Sequence, residues 1–152
     1  MADSRKGITK MRVLVMVKEG EQHEQTGTLP STEFVAEMQK FNEELVKAGV
    51  MLEGEGLYPS SKGKRVRFEG KKRSVIDGPF AETKELVAGY WVWQVRSIDE
   101  AVEWLKRAPF EGGDVDIRPI QESEDFAKQL GDPAIAERDA RLRGQIAHKA
   151  AH

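Results

Sequence analysis

The sequence contains no cysteine. That absence excludes disulfide bonds, thiolate catalysis and Cys-ligated zinc or iron–sulfur centres. Long apolar runs are missing too: none approaches the roughly eighteen residues a membrane-spanning helix needs, and residues 1–10 lack the hydrophobic block of a signal peptide. A cytoplasmic protein without a membrane partner is the expectation. Charge of one sign is equally scarce, with 24 Lys and Arg against 26 Asp and Glu and a formal net charge of −2. Such balance argues against a dedicated nucleic-acid or membrane binder, although a local patch can still be basic. Histidine occurs three times, and no pair has metal-ligand spacing within the expected domain. No metal and no cofactor is therefore expected.

What is present suits one domain of ordinary size with a buried core in 152 residues. Residues 1–10 read as a disordered polar tail. Residues 12–17 (Arg-Val-Leu-Val-Met-Val) form a near-continuous β-branched apolar run, the pattern of a buried strand. A polar loop over 18–30 contains His23. Ser31 is placed to cap a helix, with Glu33 in the first turn where the dipole favours an acid. Phe34, Met38, Phe41 and Leu45 recur at helical spacing, and Gly49 supplies the left-handed residue that ends the helix. Val50, Met51 and Leu52 open a second strand running to about residue 57.

The second half repeats this grammar. Residues 86–95 read as a strand carrying Tyr90, Trp91 and Trp93. Ser97-Ile98-Asp99-Glu100 is a capping box, in which the serine oxygen accepts from the Glu100 amide while the glutamate reaches back. Ile98, Ala101, Val102 and Leu105 face inward, and Pro109 marks the end. Gly112 and Gly113 turn the chain, and residues 114–120 alternate Val115 and Ile117 with acids and Arg118, as a half-buried strand does. Two successive strand–helix–strand units predict an α+β, ferredoxin-like split βαβ fold. Its four strands form one antiparallel sheet with both helices on one face.

Between the units lies an insertion, residues 58–85. Residues 64–68 and 72–76 flank Glu69-Gly70-Lys71 and predict a hairpin whose glycine takes a positive φ. Beyond residue 121, Asp132-Pro133 starts a peripheral helix on which only Ile135, Leu142 and Ile146 are able to pack. In the third strand, alternation puts Tyr90 and Val92 on one side and Trp91, Trp93 and Val95 on the other. Both sides are apolar, yet helices cover only one, which would leave a large exposed patch on a monomer. Pairing two sheets face to face, as in dimeric α/β barrels, resolves this and predicts a homodimer.

Asp77-Gly78-Pro79-Phe80-Ala81-Glu82-Thr83-Lys84-Glu85 is the densest cluster of turn, aromatic and charged residues. Gly78-Pro79 fixes a bend, and Asp77 before it suits an Asx-type turn as well as a chemical role. Glu82 and Lys84 alternate; on a cavity, carboxylates and an ammonium do acid/base work, whereas in solvent they and Glu85 form a salt-bridge cluster. Phe80 reads as a hydrophobic plug rather than a substrate platform. Ser60 and Ser61, after Pro59, are ligand-binding hydroxyls or turn residues. The candidates are thus Asp77 or Glu82 as base and Lys84 as electrostatic stabiliser, with Ser60, Ser61, Phe80, Glu85 and Tyr90 around a ligand.

The stretch Val50-Met51-Leu52-Glu53-Gly54-Glu55-Gly56-Leu57-Tyr58-Pro59-Ser60-Ser61 together with this nonapeptide resembles the DGPF branch of the YCII-related proteins. Gly89-Tyr90-Trp91-Val92-Trp93-Gln94-Val95 and Ile117-Arg118-Pro119-Ile120 also sit where that family has similar strings. The resemblance covers about residues 11–120. It implies a dimeric α/β-barrel domain over 11–121 with a small-molecule site and no established activity; residues 122–152 form a helical extension outside it. The broader family is associated with a His and an Asp; here the in-domain histidine is His23, which reads as a solvated loop residue. Relatives often occur beside extracytoplasmic-function sigma factors, which implies a regulatory role and a transcription-related protein partner.

Three functional classes follow. The first is a small-molecule enzyme or ligand-binding protein acting as a homodimer, and the second a non-enzymatic regulatory or sensor module. The third, ranked last, is an RNA-binding module, since the RNA-recognition motif shares the split βαβ topology. Its third-strand signature is matched in Ala88-Gly89-Tyr90-Trp91-Val92 only at the glycine and first aromatic. The cluster Lys62, Lys64, Arg65, Arg67, Lys71, Lys72 and Arg73 suits phosphates, or equally a solvated hairpin whose lysines discourage aggregation.

Overall fold

The computed structural model describes residues 9–81 and 85–151, with backbone alone at residues 21 and 22. The element order is β1 (Met11–Lys18), α1 (Glu21–Thr26), α2 (Thr32–Lys47), β2 (Met51–Gly56), β3 (Lys64–Glu69), β4 (Lys72–Asp77), β5 (Val87–Val95), α3 (Ile98–Leu105), β6 (Val115–Pro119), α4 (Ser123–Leu130) and α5 (Ala134–Ala151). A 3-10 turn at Ser60–Lys62 precedes β3. The chain divides into two compact units, Met1–Pro119 and Ile120–His152.

Mixed α and β structure with an antiparallel sheet agrees with the sequence pattern. Four strands run in the order β2-β5-β1-β6, and every neighbouring pair is antiparallel. Alternation along β1 and β5 sends Val13, Val15, Trp91, Trp93 and Val95 to one face, where all are buried. The register sets Val15 opposite Trp91 and Val13 opposite Trp93, so large and small side chains interdigitate across the strands. Phe41 and Leu45 of α2 and Ala101 of α3 close this core from the same side. The Phe41 ring stands edge-on to Trp91 and Trp93, with centroids 5.9 and 6.3 Å apart, an arrangement that aligns ring edge and ring face quadrupoles. Gly54 of β2 makes room for this cluster, because a Cβ there would lie 2.8 Å from the Trp91 indole.

The opposite face carries Arg12, Leu14, Met16, Lys18, Tyr90, Val92 and Gln94, all half-buried. On the core side Trp91 Nε1 donates to Asn42 Oδ1 of α2 at 2.9 Å. The Trp93 indole N–H is buried with no partner among the described residues, a defect that costs about 1–3 kcal/mol.

Helix ends follow the local chemistry. Ser31 Oγ accepts from the Phe34 amide at 3.1 Å, and Gly49 takes φ 72° beyond α2. Ser97 Oγ likewise accepts from the Glu100 amide. The returning arm of that capping box differs from expectation: Glu100 Oε1 accepts from the Arg96 amide at 2.7 Å, one residue earlier in the chain. Two elements were absent from the sequence reading. The expected loop over 18–30 holds α1, and the C-terminal segment holds α4 before α5. The hairpin lies where expected, with Gly70 at φ 61°, and β3 and β4 form a two-stranded sheet of their own. No helix among the described residues is long and apolar enough to cross a membrane.

Candidate functional site

The end of β1 and the short helix behind it build the most chemically loaded place in the Met1–Pro119 unit. Gly20 is extended at the N-cap of α1, and Gly27 ends the helix in the left-handed region at φ 68°. One helical turn spans four residues, so Glu19 and His23 meet on one side. The Glu19 carboxylate is 2% exposed and lies 2.5 Å from His23 Nδ1, while the imidazole is 24% exposed. With a carboxylate accepting at Nδ1, the neutral ring carries its proton there and leaves the Nε2 lone pair available.

Glu24, the next residue on α1, is also buried, and it reaches 36 positions ahead to Ser60. Its Oε2 accepts from the Ser60 amide at 3.0 Å and its Oε1 from the Ser60 hydroxyl. A buried carboxylate is tolerated when donors surround it, and the 3-10 turn supplies two. The same Ser60 Oγ accepts from the Phe80 amide at 2.8 Å. A single serine thus ties α1 to the Asp77–Glu85 stretch. The far end of that stretch is held as well, because the Glu19 amide donates to the Leu86 carbonyl at 2.8 Å.

Gly78 explains why glycine is needed in the bend. A Cβ there would sit 1.7 Å from the Ser60 carbonyl oxygen, so only a bare Cα passes. The Gly78–Pro79 peptide is cis, and the Gly78 amide donates to the Gly63 carbonyl at 3.1 Å. Phe80 is half-buried beneath the Arg65 guanidinium, 4.1 Å from its ring centroid.

Of the residues singled out from the sequence, Ser60 and Phe80 come together here. Ser61 and Glu85 are exposed. Asp77 ends β4 with its side chain 76% exposed, 2.5 Å from Lys64 Nζ on the paired strand. Tyr90 belongs to a different constellation on the sheet, donating to Glu53 Oε2 at 2.6 Å. That hydrogen bond, followed by desolvation and the negative charges of Glu53 and Glu55, raises the phenol above its ordinary value of 10.0. Glu82 and Lys84 lie outside the described residues. The sequence reading missed Glu19 and Glu24 and left His23 in solvent; the signal was the four-residue spacing of Glu19 and His23. Among the described residues no group of three or more His, Asp or Glu side chains is placed to hold a metal ion.

A family model described as the YCII-related domain matches residues 11–124. The chain belongs to the YCII-related family. One curated relative, named Uncharacterized protein R00369, of Rhizobium meliloti (strain 1021), is 33% identical over 78 residues. That alignment takes in 49% of this chain and 63% of the relative, less than two thirds of its length. The YCII-related match ends close to the start of the second unit and contains Glu19, His23, Glu24, Ser60 and Phe80 alike.

Proposed function

We propose that this YCII-related protein is a cytoplasmic small-molecule enzyme or ligand-binding protein whose proton-handling group is His23. The observation that carries this reading is the Glu19–His23 pair, in which a sheltered carboxylate orients a partly exposed imidazole. Such a pair suits general base catalysis, in which Nε2 takes a proton and Glu19 stabilises the imidazolium that results. The bonds of Ser60 to Glu24 and to the Phe80 amide position residues 77–81 beside α1, which favours a ligand bound between them. Asp77, Glu82 and Lys84 remain proposed contributors, the last two as further acid/base and charge-stabilising groups. The exposed ion pair of Asp77 with Lys64 favours its turn role over that of base.

The strand order β2-β5-β1-β6 supports a ferredoxin-like barrel half of the DGPF type. Leu14, Met16, Tyr90 and Val92 on the face opposite α2 and α3 support face-to-face pairing of two copies. A regulatory reading stands second. It is favoured by the separate Ile120–His152 unit, where Leu142 and Ile146 are exposed and suit a protein partner, a transcription component among them. The RNA-binding reading rests on the basic hairpin alone and comes last.

The test is a ligand screen by thermal shift on the wild type, His23→Ala and Glu19→Gln. His23→Ala is expected to abolish any hit or weaken it by tenfold or more, and Glu19→Gln to weaken it in the same direction. Hits bound equally by all three proteins would refute the site.

A further inference from the structure

Strand β6 ends the four-stranded sheet and pairs only with β1 among the described residues. The Lys18 amide donates to the Asp114 carbonyl at 3.2 Å, and Val17 stands opposite Val115. In an antiparallel ladder hydrogen-bonded and non-bonded pairs alternate. The bonded pairs therefore fall at Lys18/Asp114, Met16/Asp116 and Leu14/Arg118. That turns the backbone N–H and C=O groups of Val115 and Ile117 outward, away from β1. Pro119, which has no N–H, also falls at an outward position, where a strand proline breaks no ladder bond.

Beside this edge lies a groove of about 700 Å³ whose apolar wall is Ile98, Val102, Leu105, Phe110, Val115 and Ile117, with the charged Lys106, Asp116 and Arg118 also lining it. Ile98 and Val102 of α3 are 39% and 37% exposed. An outward strand edge next to an apolar groove is what strand addition uses, main chain for affinity and groove for side chains. The sequence of β6 says which strand fits. Val115-Asp116-Ile117-Arg118-Pro119, set antiparallel to itself about Ile117, places Asp116 opposite Arg118 twice. Centring the two-fold on Asp116 or on Arg118 instead stacks like charges, which opposes those registers.

We propose that a second copy of this chain adds edge to edge at β6, antiparallel about a two-fold axis through Ile117. Ile117 exchanges both backbone hydrogen bonds with its counterpart, and each Val115 amide donates to the other Pro119 carbonyl. The Asp116–Arg118 contacts then occupy non-hydrogen-bonded positions, where side chains approach most closely. Asp116 already sits 3.3 Å from Lys18, so each incoming arginine completes a three-charge network. The two grooves meet across the axis and cover Ile98 and Val102. This contact uses the sheet edge and stands independently of any pairing through the sheet face.

The absence of cysteine gives a clean test. Ile117→Cys puts two thiols on hydrogen-bonded antiparallel positions, about 5.5 Å apart between Cα atoms, within disulfide range. Oxidation of full-length Ile117→Cys is expected to yield a covalent dimer on a non-reducing gel, with a Val75→Cys control on the hairpin remaining monomeric. By sedimentation, Arg118→Asp is expected to weaken self-association roughly tenfold or more, and Asp116→Arg combined with Arg118→Asp to restore it. Val92→Glu on the sheet face should leave the crosslink intact. Failure of the thiol at position 117 to crosslink, or an Arg118→Asp protein that associates like wild type, would overturn the proposal.

Discussion

Replacing Ser60 with alanine removes one oxygen that serves two partners. The hydroxyl donates to the buried Glu24 carboxylate and accepts from the Phe80 amide. Loss of a donor to a charged acceptor costs about 1.5–3 kcal/mol, and an amide left without its acceptor adds about 1 kcal/mol. The Ser60 amide still donates to Glu24 at 3.0 Å, and Ser60 is half-buried, so water offsets part of the loss. A destabilisation of roughly 2–4 kcal/mol follows. For a chain of 152 residues each kcal/mol moves Tm by about 2–4 °C, which gives a fall of roughly 4–16 °C. Calorimetry of Ser60→Ala, Glu24→Gln and the double variant measures both the loss and the coupling, expected at about 1 kcal/mol or more. A Ser60→Ala protein melting within about 2 °C of wild type, with additive single effects, would refute the latch.

Two further outcomes follow from the same structure. Gly78→Ala forces a methyl group onto the Ser60 carbonyl oxygen; both are backbone-anchored, so a loss of roughly 3 kcal/mol or more is expected in denaturant titration. Ultraviolet titration in a Tyr58→Phe background should show Tyr90 ionising above 10.0, with Glu53→Gln bringing the midpoint down. The sign is that of a neutral form favoured by folding: this stabilisation is complete below the unfolded tyrosine pKa and is lost as pH rises through the higher folded value. An unchanged midpoint in Glu53→Gln would remove Glu53 as the cause.

The strands were legible because burial stamps a two-residue period or a continuous apolar run on them, as at Val13 and Val15 or Trp91 and Trp93. Helix α2 was legible from Ser31 and the Phe34–Leu45 spacing. Helix α1 escaped because its six residues, Glu-Gln-His-Glu-Gln-Thr, show no apolar face; polar contacts to Glu19 and Ser60 hold it instead. Helix α4 escaped for a related reason, since Glu122 at its N-cap makes no side-chain capping bond. Of the site, the glycine and serine positions around the bend were visible in the sequence. Their meeting with Glu24 was not, because a contact spanning 36 residues leaves no local period.

The bond from Phe80 to Ser60 joins positions 20 apart in sequence, and within that loop β3 and β4 pair with each other. Gly63 and Gly78 add a second clasp at the base of the same loop. The hairpin is thereby a cartridge held at its neck. Its tip at Glu69-Gly70-Lys71 can be lengthened, recharged or exchanged without the change reaching the sheet, so selection on what the hairpin touches is uncoupled from selection on the core.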